Sequence, residues 1–177
     1  AAVAVTNFTL ELAAFVLERS GLELAEAHAE LEQSQILRAN AFSHDLVFEA
    51  VLANIPVAVK QLLHARTANY LEKLKNVNPA VLAQHYIEAG DELKAAEYWV
   101  QASVRSELSS LLKEGREFAE RAVSTYQKHG DPREYEATAQ LFEILGMHGS
   151  FEELERASSR LAQLSRNSEQ KIVALTK

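Results

Sequence analysis

Apolar residues recur three or four positions apart along most of the chain, and only six glycines and three prolines interrupt them. This spacing is typical of amphipathic helices, because residues so separated lie on one helix face. Thr9 is expected to cap a first helix that runs to about Glu18. The apolar face of that helix is predicted to be Leu10, Ala13, Ala14 and Leu17. Ser20-Gly21 then separates it from a second helix over 22–34, which carries glutamates on its polar side.

The segment 36–42 is too short for a helix. It predicts a small β-hairpin with Ala39-Asn40 at the turn, because asparagine tolerates positive φ. The hairpin is the only strand structure that we expect in the chain.

Two further helices are predicted before the first long interruption. Ser43 is expected to cap a helix that ends near Asn54, with Asp45 in the first turn, where a negative charge meets the positive helix end. Pro56 ends that helix and permits the next one, 57–74, which keeps a helical rhythm of apolar residues.

A domain boundary is predicted at 76–79, where Asn-Val-Asn-Pro interrupts the helical pattern, so that the domains are 1–75 and 79–177. The second domain contains three helix stops of one form, a bulky residue, three others, a glycine and a capping residue. They end at Gly90-Asp91, Gly130-Asp131 and Gly149-Ser150. Each glycine is expected to adopt the left-handed conformation that closes a helix, which predicts antiparallel helices joined by tight turns.

The first unit after the boundary fits the spacing of a tetratricopeptide repeat. The matching positions are Leu82, Ala83, Tyr86, Gly90, Ala95, Trp99 and Ala102. Gly90 and Gly130 are further apart than the about 34 residues of a strict repeat, so we predict a tetratricopeptide-like α-solenoid without a repeat count. The predicted fold class is therefore all-α, with one possible small β-hairpin.

Charge and composition narrow the classes of protein. The net charge is −7, and residues 1–55 carry two arginines against eight carboxylates, so neither half offers the basic face that nucleic-acid binding needs. No apolar run approaches the about 18 residues of a membrane span, and no cysteine is present. We expect a cytoplasmic protein without direct nucleic-acid or membrane contact. The chain begins without methionine, and we expect it to be a piece of a longer protein.

Motifs of catalysis are absent from the sequence. It contains no P-loop, no Gly-x-Ser-x-Gly elbow and no His-Glu-x-x-His pair, so we assign no catalytic or metal-binding residue and expect no enzyme in this chain. His28, His64 and His85 lie in helix-forming stretches and are expected to be buried or boundary histidines rather than ligands. Tyr86, Tyr98 and Trp99 are candidate binding residues, although their repeat positions favour packing.

Charged clusters in the second domain have structural interpretations. Glu152, Glu153 and Glu155 stand in the first turn of a predicted helix, where they complement its dipole. Lys113, Arg116 and Arg121 alternate with glutamates and are expected to form a solvated face.

His44 and Asp45 are the candidate site residues of the first domain. A histidine at the first turn of a helix stands among free backbone amides and a positive dipole, and is well placed to contact a phosphate. The alternative is that Ser43 and Asp45 cap the helix while His44 bonds nearby backbone.

The runs FSHDLVFEAVLANIPVAVKQLLHARTANYLE and LAQHYIEAGDELKAAEYWVQA resemble a family of large bacterial transcriptional regulators. These are the signal-transduction ATPases, including MalT-like and LuxR-type regulators, SARP-type large ATP-binding regulators and adenylate-cyclase-linked relatives, and the similarity covers roughly residues 8–125. The resemblance implies that 1–75 is a winged-helix-like switch domain after an ATPase core and that 79–177 begins helical repeats that receive an inducer or partner protein.

The resemblance also implies a nucleotide role for one residue. His44-Asp45 resembles the Met-His-Asp motif of related ATPase switches, whose histidine touches the phosphate of bound ADP, although Ser43 replaces the methionine. ATP or ADP would be the cofactor of the full-length protein and not of this fragment, whose partners would be its own ATPase domain and a protein or small-molecule inducer. In that family DNA binding belongs to another domain.

Two other functions stay open at the level of sequence. One is a tetratricopeptide-like adaptor for protein–protein interaction, and the other is a helical appendage of a nucleotide cyclase or kinase. An upstream P-loop with a downstream helix-turn-helix would favour the regulator, a cyclase domain would favour the appendage, and neither would favour the adaptor.

Overall fold

The fold is mostly helical with one two-stranded antiparallel sheet, which confirms the predicted fold class at this level. The computed structural model describes residues 8–38 and 41–175, and the side chains only as far as 165. The helices are α1 (Leu10–Leu17), α2 (Gly21–Gln33), α3 (Asp45–Asn54), α4 (Val57–Leu71), α5 (Pro79–Ala89), α6 (Glu92–Leu108), α7 (Leu112–His129), α8 (Glu134–His148) and α9 (Phe151–Leu175). The strands are β1 (Leu37–Arg38) and β2 (Ala41–Phe42).

The chain divides into two compact units. Unit 1 comprises the residues up to Val77 together with Gln84–Asp91, and unit 2 comprises Asn78–Ala83 and the residues from Glu92 onward. The division therefore passes through α5. The assignment of 1–75 to a winged-helix-like domain and of 79–177 to a tetratricopeptide-like solenoid stays a prediction.

Helices α1 and α4 form the centre of unit 1. Thr9 caps α1 as predicted, and its hydroxyl accepts a hydrogen bond from the amide of Leu12 at 3.1 Å. The predicted apolar face of α1 was wrong by about half a turn, because the buried residues are Leu12 and Val16. Arg66 of α4 explains part of the orientation of α1. Its guanidinium donates to the carbonyl of Val16 at 2.8 Å and holds that edge of α1 against α4.

Helix α2 is stabilised locally. Ser20 and Glu23 form a complete capping box, in which the Ser20 hydroxyl accepts from the Glu23 amide and the Glu23 carboxylate accepts from the Ser20 amide. The helix has no fully buried residue, and Leu22 is 75% exposed. Local capping therefore supports α2, which packs on α1 and β1 without a fully buried side chain of its own.

The hairpin lies between α2 and α3, where the sequence predicts it. Leu37 pairs with Phe42 and Arg38 pairs with Ala41. The predicted turn residues, Ala39 and Asn40, lie outside the described residues. The hairpin buries Leu37, so it contributes to the apolar centre of unit 1.

Glycine ends two helices as predicted and a third in a different way. Gly90 and Gly130 have φ of +87° and +61°, which are left-handed conformations that glycine adopts without strain. The prediction for Gly149 was wrong, because its φ is −92° and its ψ is 168°. Glycine is favoured there by close approach: a Cβ at this position would lie 2.7 Å from the carbonyl oxygen of Leu145.

Unit 2 is an array of consecutive helices whose close approach depends on small residues. Helix α6 packs on α7, α7 on α8, and α8 on α9. The small residues that are almost completely buried in this array are Ala95, Ala96, Ala102, Ala119, Ala122 and Ala137. Gly115 is also at a contact, since a Cβ there would lie 3.3 Å from the carbonyl oxygen of Ser103. Small side chains let helix backbones approach, which is the physical basis of the predicted alanine positions.

Ion pairs link the helices of unit 2. Arg160 of α9 contacts the buried carboxylate of Glu134 at 2.6 Å, and Arg116 of α7 contacts Glu153 of α9 at the same distance. Lys128 reaches back to Glu92 of α6 at 2.6 Å. Each pair joins residues that are distant in sequence. The charged side chains therefore help to set the register between helices, in addition to covering the solvent-facing surface.

Among the helices of the described chain, none alone is long and apolar enough to cross a membrane. Only α3 and α4 taken together reach that length and composition, and they are bent by 110° at their junction.

Candidate functional site

Ser43 joins the hairpin to the end of α2 and does not cap α3. Its hydroxyl shares its one proton between the carbonyl oxygens of Gln35 and Ile36, and its amide donates to the Ile36 carbonyl at 3.0 Å. The predicted capping role of Ser43 was therefore wrong, because the hydroxyl is used by the preceding turn and the helix begins one residue later.

His44 occupies the cap position of α3 without capping it. Its backbone is extended, its carbonyl oxygen accepts from the amides of Val47 and Phe48, and its side chain makes no capping hydrogen bond. The imidazole is exposed. Within the described part of the chain, the amides of Asp45 and Leu46 have no hydrogen-bond partner, as is usual in the first turn of a helix.

A surface cleft of about 440 Å³ surrounds this histidine, and we call it the His44 cleft. It is lined by Glu32, Gln35, Leu37, Arg38, Ser43 and His44. Arg38 and His44 supply donors for an anion, whereas the carboxylates of Glu32 and of the exposed Asp45 oppose one. The cleft is thus suited to a phosphate that another protein surface also holds, and poorly suited to retain a free anion alone.

A second feature of unit 1 is an apolar cavity of about 340 Å³ among its helices and hairpin. It is lined by Phe8, Leu12, Ala13, Val16, Leu17, Leu31, Ile36, Leu37, Phe42, Val51, Ile55, Leu63 and Thr67. Helices α2 and α3 reach it with Leu31 and Val51, and neither helix has a fully buried side chain. Sequence periodicity did not reveal it, since it depends on how far the elements lie apart.

The aromatic candidates occupy different environments. Tyr86 is buried, and its hydroxyl donates to the side-chain oxygen of Asn69 at 3.2 Å. Trp99 is 7% exposed, with the guanidinium of Arg121 5.9 Å from its ring centre, and Tyr98 is half-buried. The part of Trp99 that reaches the surface contributes to a polar cleft between α6 and α7 that also contains Arg121.

His64 and His85 form a pair that the sequence did not predict. Both are buried, and their Nδ1 atoms are 3.0 Å apart, so one ring donates the proton and the other accepts it. Burial, and to a smaller extent the charge of His64, lowers the pKa of His85 to about 4. The pKa of His64 is also lowered, mainly by burial and to a smaller extent by Lys60, against an opposing effect of Glu88.

The acidic and basic clusters of unit 2 contact each other. Glu153 accepts hydrogen bonds from the amide and hydroxyl of Ser150 at the start of α9, and it pairs with Arg116. These contacts hold the pKa of the Glu153 carboxyl at about 2. The predicted helix-dipole role of this glutamate agrees with its position. Within the described ranges, no three His, Asp or Glu side chains are grouped so that they could hold a metal ion.

No protein-family model, curated protein or solved structure matches the chain.

Proposed function

We propose that this chain is the regulatory part of a multidomain ATP-dependent bacterial transcriptional regulator. Unit 1 would be the winged-helix-like switch that senses the nucleotide of an ATPase core outside this chain, and unit 2 would be the tetratricopeptide-like receiver of an inducer. The observation that carries the proposal is the exposed imidazole of His44 at the start of α3, in a cleft that Arg38 also lines. This chain would perform no catalysis itself.

The proposed mechanism is a shift between two states. In the ADP-bound state, His44 donates to a phosphate oxygen held in the core, and this bond favours the closed arrangement. An inducer that binds only the open state draws the population toward it, since a ligand shifts an equilibrium by its difference in affinity for the two states. The mixed charge of the His44 cleft suits this task, because the contact must be breakable.

Substitution of His44 by alanine in the full-length regulator tests the proposal directly. A hydrogen bond to a charged group contributes about 1.5 to 3 kcal/mol, so we expect roughly tenfold faster ADP release or more, together with higher basal transcription. His148→Ala is the matched control, because His148 is also an exposed histidine but lies in unit 2. Unchanged ADP retention and unchanged basal activity in the His44 variant would refute the nucleotide role.

The isolated chain provides a second test. Titration with ADP, followed by amide NMR, should give only weak perturbations, and these should be centred on Asp45 and Leu46. Submicromolar affinity for ATP would contradict the assignment, because it would require a nucleotide site that the His44 cleft does not supply.

The polar cleft between α6 and α7, which Trp99 and Arg121 line, favours a second candidate function, that of a protein-interaction adaptor. Arg121 lies over Trp99, which is 7% exposed and lines this cleft, and arginine and tryptophan are common at binding hot spots. If a peptide partner changes Trp99 fluorescence while ADP release is insensitive to His44→Ala, the adaptor is the better description.

A further inference from the structure

We infer that the apolar cavity of unit 1 is a binding site for an uncharged, mainly hydrocarbon small molecule. This inference concerns a different surface from the His44 cleft and does not depend on the proposed nucleotide role. It rests on the chemistry of the lining, the size of the cavity and its access to solvent.

The lining selects against charge. Among the described residues no charged side chain contributes to the lining, and Thr67 is the one polar side chain in it. The Thr67 hydroxyl already donates to the carbonyl oxygen of Leu63 at 2.8 Å. A charged ligand would therefore lose its hydration without gaining a partner, whereas an apolar ligand would replace water by dispersion contacts.

The volume of the cavity is that of a small-molecule site. A dry apolar cavity of about 150 Å³ is known to accept benzene. At about 340 Å³, this cavity has room for two or three rings and lies in the range of ligand pockets.

Access to the cavity is through partly exposed apolar residues. Leu17, Leu31 and Val51, from three different helices, are 48%, 39% and 38% exposed and also line the cavity. The deeper wall is made by Leu12 and Val16, which are buried. A ligand thus has an apolar entrance and an apolar interior, which is the arrangement expected of a site rather than of a sealed packing defect.

The test uses N-phenyl-1-naphthylamine, an uncharged fluorescent probe of three rings, and the chain as it stands. We expect saturable binding with one site per chain. Anilinonaphthalene sulfonate has the same rings and a negative charge, and it should bind on the order of tenfold more weakly or worse. Equal affinity for the two probes would overturn the inference.

Variants locate the probe. Ala13→Leu fills the cavity. Val51→Phe narrows its entrance, at a partly exposed position where a larger side chain can be accommodated. Either should weaken binding by about tenfold or more. Leu46→Gln is the matched control, because Leu46 is an exposed apolar residue of α3 outside the lining.

Each result of these measurements has a defined meaning. Absence of saturation, or an equal loss in the Leu46 variant, would show that the probe senses only exposed apolar surface and would overturn the inference. If circular dichroism shows that both cavity variants are unfolded, the comparison of the two probes on the unsubstituted chain still decides the question.

Discussion

The two units obtain their order in different ways. In unit 2, alanines buried at the contacts of α6, α7 and α8 let the helices approach closely, and ion pairs such as that of Glu134 with Arg160 fix their register. In unit 1, α2 and α3 bury no side chain completely, and the centre contains the apolar cavity. Close packing resists change in volume, while a partly empty centre can accept it. The structure therefore suits unit 2 to rigidity and unit 1 to adjustment by a ligand.

The largest expected difference between the units is their response to acid. The folded-state pKa of His85 is about 4, below the ordinary 6.5, so the unfolded chain binds more protons between these values. Stability of unit 1 is then fully present above about pH 6.5, and about 3 kcal/mol of it is lost as the pH falls to 4. Lys60 and Glu88 are the other charged groups near the pair, and Lys60 opposes protonation.

Unit 2 should respond at lower pH. In unit 2 the hydrogen-bond partners of Asp131 and Glu153 hold the pKa values of these two carboxyl groups at about 2. The contribution of the two carboxylates to the stability of unit 2 is therefore lost only as the pH falls from the ordinary carboxyl range through that value. Urea unfolding with pulsed hydrogen exchange at one labelling pH can separate α4 from α7. His85→Gln should abolish most of the acid-induced loss of stability in α4. Substitution of the exposed His148 by glutamine should not. A common midpoint shift in both units would contradict the comparison.

The next effect concerns tolerance of added volume. Ala122 is completely buried in α7, so Ala122→Leu should destabilise unit 2 by about 2 kcal/mol through overpacking. Ala13→Leu projects into the cavity and should change the stability of unit 1 by less than about 0.5 kcal/mol. Urea midpoints measure both, with Trp99, the only tryptophan, as the probe of unit 2. Equal costs would mean that unit 1 is as tightly packed as unit 2.

The smallest effect corrects a defect in the otherwise well-packed unit 2. The Ser103 hydroxyl is buried without a hydrogen-bond partner among the described residues. Ser103→Ala should stabilise unit 2 by about 1 kcal/mol, because it removes an unsatisfied polar group. Ser124→Ala is the control for helix propensity, since Ser124 is exposed in α7. A gain no larger than that of the control would indicate that the Ser103 hydroxyl has a partner in solution.

Local signals predicted the fold well where the structure depends on neighbours in sequence. Thr9 caps α1, Gly90 and Gly130 take left-handed conformations, and the hairpin lies at its predicted place. These features depend on short stretches of consecutive residues, so the local residue types suffice to predict them.

The failures lie where a distant residue competes for the same group. Ser43 has the residue type of a helix cap, but carbonyl groups at the end of α2 take its hydroxyl. Periodicity could not show that Val16 would be held against Arg66, fifty residues away. The pairing of His64 with His85 and the apolar cavity also depend on tertiary distances, so no local pattern in the sequence predicts either. His44, by contrast, is a candidate that its place before α3 suggests.

The local stabilisation of α2 has a kinetic consequence. Its capping box keeps it helical, but it contributes Leu31 to the wall of the apolar cavity without a buried anchor of its own. Such a helix should detach at a small cost compared with global unfolding. Movement of α2 would then widen the entrance that Leu31 lines, so bulky ligands would leave at a rate that depends on how often α2 moves, while slender ones would not.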